Sequence, residues 1–319
     1  MAKIGIENIE KVMLHVLPME RRFDSARNLW FDSAGDLLVH PVVALKYQEK
    51  KYDEKPKTRA EADARGEKSF NGLMSSFPYI RVYPDDGKNI VVADIAPTRY
   101  LVGQAMRDIV GSGQYSDEEM KNLSPNMANV SVVVPVNIAG RYFLISQIKG
   151  KALGSGQVHA AMVAGNIDAK YLQATDPFSA ALREECSEEV GLDLSSLDLT
   201  SVVYMVDERE TGQVNFASVA RQADFINVFT AYEQSTKEKL SQHEALEVMA
   251  LCELPVAGLA LVPLKDGSMG FPNIRIYQPT PTGLVVTVEE RGVRPYTQAT
   301  LDYLAKPENL KFLLEKAGF

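Results

Sequence analysis

The chain has 319 residues, with 34 Lys+Arg against 42 Asp+Glu for a formal charge of −8, and it is 45% hydrophobic and 24% charged. That length suffices for about two domains and a sizeable core without covalent staples. The acidic balance argues against a general nucleic-acid binder, whose footprint is basic, but it leaves room for a small phosphate ligand because bound cations reverse a local sign.

The opening stretch MAKIGIENIEKVMLHVLPMERRF is broken by charges and a proline, so it lacks the apolar run of a signal peptide. No window approaches the roughly 18 apolar residues of a membrane span. Cys186 and Cys252 supply no disulfide framework. The expectation is a cytoplasmic protein in a reducing compartment, with no membrane partner.

Along the chain, residues 37–43 and 90–93 read as strands, with a turn at 83–88. Residues 47–68 carry a dense run of both charges, which predicts a solvated loop or exposed helix, with a partner-binding arm as the other reading. Residues 98–110 predict a helix that packs Tyr100, Leu101, Met106 and Ile109 and stops at Gly111-Ser-Gly113. A short helix follows at 117–121. The character changes at Ser124-Pro125. Two β-rich runs, 130–138 and 142–148, are joined by Ala139-Gly140-Arg141 and predict a hairpin. A third run, 158–163, ends in Ala164-Gly165-Asn166-Ile167-Asp168. Residues 177–190 predict a helix with Asp176 as cap, Pro177 in the first position and Gly191 at the stop. Strands are expected at 201–206, 215–219, 225–232, 246–251 and 284–289, then helices at 296–305 and 307–316. This divides the chain into an N-terminal α+β region (1–129), a central domain (130–255) and a C-terminal extension of a strand and two helices (256–319).

The helix at 177–190 carries the chemistry. On a wheel advancing about 100° per residue, with Glu185 at zero, Glu188, Glu189 and Glu184 fall at about 300°, 40° and 260°. Leu182, Cys186 and Val190 form an apolar stripe beside them. Carboxylates at these spacings repel one another, and no lysine is interleaved between Glu184 and Glu189. A hard divalent cation would relieve the repulsion. Periodicity alone leaves two readings open, a cation-binding face and a solvated acidic face.

The run Glu185-Cys-Ser-Glu-Glu-Val-Gly-Leu192 resembles the second half of the Nudix box, Gly-x5-Glu-x7-Arg-Glu-U-x-Glu-Glu-x-Gly-U, where U is aliphatic. The apolar stripe puts Cys186 in the U slot. Ala164-Gly165-Asn166-Ile167-Asp168 looks like the Ala-Gly-x-Ile-Asp/Glu opening of ADP-ribose and ADP-sugar pyrophosphatases. His243-Glu244-Ala245-Leu246-Glu247-Val248 resembles the acidic loop that supplies a catalytic glutamate in those enzymes. The resemblance spans residues 130–255.

That resemblance implies hydrolysis of a nucleoside diphosphate linked to another moiety, of the ADP-ribose, ADP-sugar or dinucleotide class, with Mg²⁺ or Mn²⁺ as cofactor. Glu185 and Glu189 would be the leading ligands, with Glu188 and the Ala164 carbonyl beside them. Glu185 and Glu188 also count among the catalytic residues. Glu244 is the candidate general base, with Gln242 and Glu247 as rivals. The implied fold is an α/β/α sandwich with a mixed sheet, flanked by the N-terminal α+β region and the C-terminal helical extension, and the implied assembly is a homodimer. Three departures stand out. Glu184 occupies the position of the box arginine, Asp176 stands for the first glutamate, and residues 169–175 include an insertion. They support an alternative, a catalytically weak Nudix-fold nucleotide-binding or regulatory module. A prenyl diphosphate isomerase would place a cysteine in the site, whereas Cys186 faces the apolar side.

Other residues carry weaker signals. Arg141, Lys149 and Lys151 are candidate phosphate contacts against a generic surface role. His243 reads as a loop residue and His159 as a satisfied sheet residue. Glu208, Arg209 and Glu210 read as a solvated turn. Tyr204, Phe216 and Phe229 could stack a base, but core packing is the default.

Overall fold

The computed structural model of the protein describes residues 4–17, 23–24, 29–30, 39–67, 70–85, 88–150, 157–193, 195, 197–209, 212–241, 256–264, 274–280, 283–289, 292–293 and 295–319. The chain is mixed α/β, with a large mixed sheet and, among the described residues, eight α-helices. Among the described residues, no helix is long and apolar enough to cross a membrane. The chain forms two compact units. One comprises Met1–Val130, Asn166–Ala181 and Met205–Phe216; the other comprises Ser131–Gly165, Leu182–Tyr204 and Ala217–Phe319. The units are thus interleaved along the chain, whereas the sequence reading divides it into three consecutive segments.

The first unit contains strands Gly5–Asn8 (β1) and Lys11–Val16 (β2) and the short pair Phe23–Asp24 (β3) and Leu29–Trp30 (β4). Helices Pro41–Glu49 (α1) and Arg59–Ala64 (α2) follow, then the hairpin Leu73–Asp85 (β5) and Lys88–Arg99 (β6). Helices Tyr100–Ser112 (α3) and Asp117–Leu123 (α4) lead into Met127–Ile138 (β7). β2 runs parallel to β6, and β5 runs antiparallel to it. Helices α1, α3 and α4 bury Val43, Tyr47, Leu101, Met106, Ile109 and Leu123 in one cluster.

The strand expected at 37–43 is corrected. Residues 37–38 lie outside the described residues, and α1 begins at Pro41, where proline costs no helical hydrogen bond. His40 Nδ1 accepts the Val42 N–H at 3.3 Å. The charged run that follows folds as the end of α1, a 3₁₀ turn at Tyr52–Glu54 and α2, anchored by the buried Tyr47 and Ala62. Asn71, also buried, organises this corner. Its Nδ2 donates to the Tyr47 hydroxyl and to the Tyr52 carbonyl, while its Oδ1 accepts the Leu101 N–H at 3.0 Å. It thereby caps α3, whose own N-cap Arg99 makes no side-chain capping bond.

In the second unit β7 reaches the two-residue turn Ala139-Gly140, where φ is +51° and +79°, and returns as Arg141–Lys149 (β8). Two consecutive positive φ values match the right-handed twist of a hairpin, and glycine takes the second at no steric cost. The predicted hairpin therefore forms, in the register Ile138↔Arg141 to Val134↔Ile145. Beyond that register Val158–His159 (β9) pairs with Gln147 and Ile148, and Val163–Asn166 (β10) pairs with β7. The single run expected at 158–163 is thus two short strands. The break comes where the chain changes partner, with the Met162 N–H bonded to the Val132 carbonyl at 2.9 Å.

Val256–Pro263 (β13) lines the other edge of β8, followed by Ile274–Thr280 (β14) and Gly283–Glu289 (β15). Asp198–Glu208 (β11) and Gln213–Arg221 (β12) continue the order on the side of β7. The helices are Pro177–Val190 (α5), Phe225–Ser241 (α6), Pro295–Leu304 (α7) and Pro307–Lys316 (α8). α7 seats on β9 through Thr297, whose Oγ1 donates to the Val158 carbonyl at 2.9 Å and accepts the Ala160 N–H at 3.0 Å. The strand expected at 225–232 is corrected to α6. Asp224 Oδ1 accepts the Ile226 N–H at 2.9 Å, and Val228, Phe229, Tyr232 and Thr236 are buried at helical spacing. The strand expected at 246–251 lies outside the described residues.

Candidate functional site

Helix α5 starts and stops where its sequence requires. Asp176 Oδ1 accepts the N–H groups of Phe178 and Ser179 at 3.0 and 3.2 Å, satisfying two of the orphan donors of the first turn. Gly191 follows the last turn with φ +70°, a conformation costly for any residue with a Cβ. A Cβ there would also lie 2.1 Å from Ser235 Cβ on α6. Leu182, Cys186 and Val190 are buried, as the apolar stripe predicts.

Turning this stripe inward carries the carboxylates to the neighbouring face. Glu185 lies flat against Gly165 at the end of β10, and a Cβ on that glycine would sit 1.9 Å from Glu185 Oε1. Glycine is therefore required here by close approach. Glu189 is buried and has both oxygens engaged. Oε1 accepts from Lys149 Nζ at 3.0 Å and Oε2 from the Ala164 N–H at 3.2 Å. The cation beside the row thus comes from the end of β8 and not from the helix. Arg183 is exposed and acts on Asp193, whose carboxyl is held below its ordinary value first by hydrogen bonds from Ser195 and then by that guanidinium.

Burial pushes the Glu185 carboxyl up to about 8, the negative charges of Glu189 and Glu188 push it further in the same direction, and Lys149 opposes them. Burial likewise lifts the Cys186 thiol to about 12, with Glu189 and Glu185 adding to it. Cys186 is therefore a packing residue and not a nucleophile.

The donor set consists of carboxylate and carbonyl oxygens, the ligands of a hard cation such as Mg²⁺ or Mn²⁺. Burial is the chief cause of the raised Glu185 carboxyl and the charges of Glu189 and Glu188 add to it, so it is the oxygen chemistry of the donors that fits such a cation. As they stand, no three His, Cys, Asp or Glu among the described residues are gathered into a ready metal cage.

Around the C-terminal half of α5, Glu189 bonds to Ala164 and Glu185 packs on Gly165, whereas Glu188 is exposed. Ala164 engages Glu189 through its N–H, whereas its carbonyl was the expected ligand. Gln242, His243, Glu244 and Glu247 lie outside the described residues, as do Lys151 and Glu210. Arg141 is exposed beside the hairpin turn, and Arg209 pairs with Asp207 at 2.6 Å. Tyr204, Phe216 and Phe229 are buried in the core, and His159 is buried and stacked on Tyr296 at 4.6 Å. Lys149 is the residue whose role the sequence reading missed, since a phosphate contact or a surface position was expected. A usable signal was present, because Lys149 ends a strand whose preceding residues are all apolar or uncharged from Tyr142 onward.

No protein-family model matches the chain, and no curated protein matches it either.

Proposed function

We propose that the protein is a metal-dependent hydrolase on a Nudix-type α/β/α sandwich, cleaving a nucleoside diphosphate linked to another moiety of the ADP-ribose, ADP-sugar or dinucleotide class. The observation that carries this reading is the packing of Glu185 on Gly165 beside the buried Glu189, which sets two carboxylates of one helix against the end of β10. Glu185 and Glu189, supported by Glu188 and the Ala164 carbonyl, would hold Mg²⁺ or Mn²⁺. When bound, the cation supplies charge neutralisation for the diphosphate oxygens and lowers the pKa of a water. Gly165 admits the Glu185 carboxylate, and the Ala164 N–H fixes the rotamer of Glu189. Glu244 accepts the proton of the attacking water as its oxygen bonds to one phosphorus and the bond from that phosphorus to the bridging oxygen breaks.

The test is incubation with ADP-ribose, NADH, diadenosine polyphosphates and nucleotide sugars in Mg²⁺ or Mn²⁺. A nucleotide and a phosphorylated second product are expected from at least one of them. Glu185→Gln should lower the rate by about a hundredfold or more. No turnover of any compound by folded, cation-saturated protein would count against the reading. A second reading, a nucleotide-binding or regulatory module, draws on Glu184 in the arginine position and on the engagement of Glu189 by Lys149. It predicts thermal stabilisation by the same compounds without product.

A further inference from the structure

Lys149 and Glu189 form an ion pair at 3.0 Å in which both side chains are 7% exposed. An ammonium withdrawn this far from water is stable only beside charge that offsets its lost hydration. Glu189 provides that charge directly. The pair joins the end of β8 to α5, 40 residues apart in sequence, so it is no product of helical periodicity. A second, independent observation lies on the same strand. Gln147 is two residues before Lys149 and therefore on the same face of β8. It is 0% exposed, and among the described residues neither its Oε1 nor its Nε2 has a hydrogen-bond partner. A buried carboxamide unsatisfied at both ends is costly unless a polar ligand or water meets it. Two residues from Lys149 on β8, Gln147 therefore points to a polar occupant on that face.

We propose that Lys149 is the internal counter-ion of this carboxylate site. It neutralises Glu189 while the site holds no divalent cation, and its ammonium leaves Glu189 when such a cation enters. The inference rests on the metal-dependent reading given above. Two effects of Lys149 on cation binding oppose each other. Its hydrogen bond orients Glu189, which favours binding, whereas its charge repels a dication on the same carboxylate, which disfavours it. At separations of a few ångströms in a half-buried site, a repulsion between charges of +1 and +2 exceeds the benefit of one orienting hydrogen bond. Removal of the ammonium should therefore tighten cation binding, the reverse of what a purely structural role predicts.

The experiment is a calorimetric and spin-resonance titration of the full chain with Mn²⁺, using wild type, Lys149→Met, Lys149→Arg and Glu185→Gln. Lys149→Met should bind Mn²⁺ about tenfold more tightly than wild type or better, while Lys149→Arg, which keeps the charge, should stay within about threefold of wild type. A measurement on wild type alone covers the case in which Lys149→Met does not fold. Lys149 should resist an amine-acylating reagent without cation and become reactive in saturating Mn²⁺, as read by mass spectrometry of the modified peptide. Equal or weaker binding by Lys149→Met, or protection of Lys149 that Mn²⁺ leaves unchanged, overturns this inference and leaves the metal-dependent reading standing. A wild type that takes up no Mn²⁺, or whose uptake is indifferent to Glu185→Gln, overturns the metal-dependent reading and this inference with it.

Discussion

Gly165 and Glu185 show how one missing methyl group makes a site. Gly165→Ala would place a carbon 1.9 Å from Glu185 Oε1, so the carboxylate must leave. Mn²⁺ affinity should fall by about tenfold or more, with a stability loss of about 1–3 kcal/mol from the forced shift; calorimetry and denaturant unfolding separate the two. Glu185 also sets a pH dependence. Its folded value, about 8, lies above the ordinary 4.5, so the folded state holds the proton more tightly than the unfolded chain. Stability of the cation-free protein is therefore highest at and below about pH 4.5 on this group's account, and its contribution is lost as pH rises to about 8. Glu185→Gln should remove that slope. Unfolding midpoints measured in a chelator at about pH 5, 6.5 and 8 check it, and identical pH profiles for wild type and variant would contradict it. Asp176, the Leu182/Cys186/Val190 stripe and Gly191 were all legible in the sequence because caps and periodicity are local. The burial of Lys149 has a signal in its uncharged strand, but its partner does not, because Glu189 lies 40 residues away on α5.

Helix α3 depends on a cap supplied from a distance. Asn71 satisfies the Leu101 N–H and takes Tyr47 and Tyr52 as acceptors. Asn71→Ala would strand these groups in the interior and should cost about 2–4 kcal/mol, read from denaturant midpoints at unchanged secondary structure. A loss below about 0.5 kcal/mol would remove Asn71 from this role. Nothing near Arg99 announces this bond, since the asparagine lies 30 residues from the amide it accepts. Other elements were legible for the opposite reason. The Ala139-Gly140 hairpin is encoded by its own two turn residues, and α7 and α8 by the proline that begins α8. α6 was misread because Phe225, Val228, Phe229 and Tyr232 are β-formers that here recur at a helical period. The burial of Val228, Phe229 and Tyr232, not propensity, decides the element.

At the scale of the whole molecule, one edge strand of the second unit is apolar and exposed. β15 pairs with β14 alone among the described residues and exposes Val285, Val286 and Val288 at 46%, 52% and 58%. Such an edge is a template for association on heating. Val286→Lys should lower light scattering during a thermal ramp while moving the unfolding midpoint by no more than a few degrees; scattering equal to wild type would exempt this edge. Composition changes once near Pro125, whereas contacts return to the first unit twice more. Phe77 stacks edge-on to Phe178 and Phe216, and neither partner belongs to the first 130 residues. This interleaving has a consequence for synthesis on the ribosome. The N-terminal strands emerge long before Phe216 is translated, and at ordinary elongation rates the delay is on the order of ten seconds. For that interval the nascent first unit presents an incomplete core, so its birth is the stage at which a holding chaperone has most to protect.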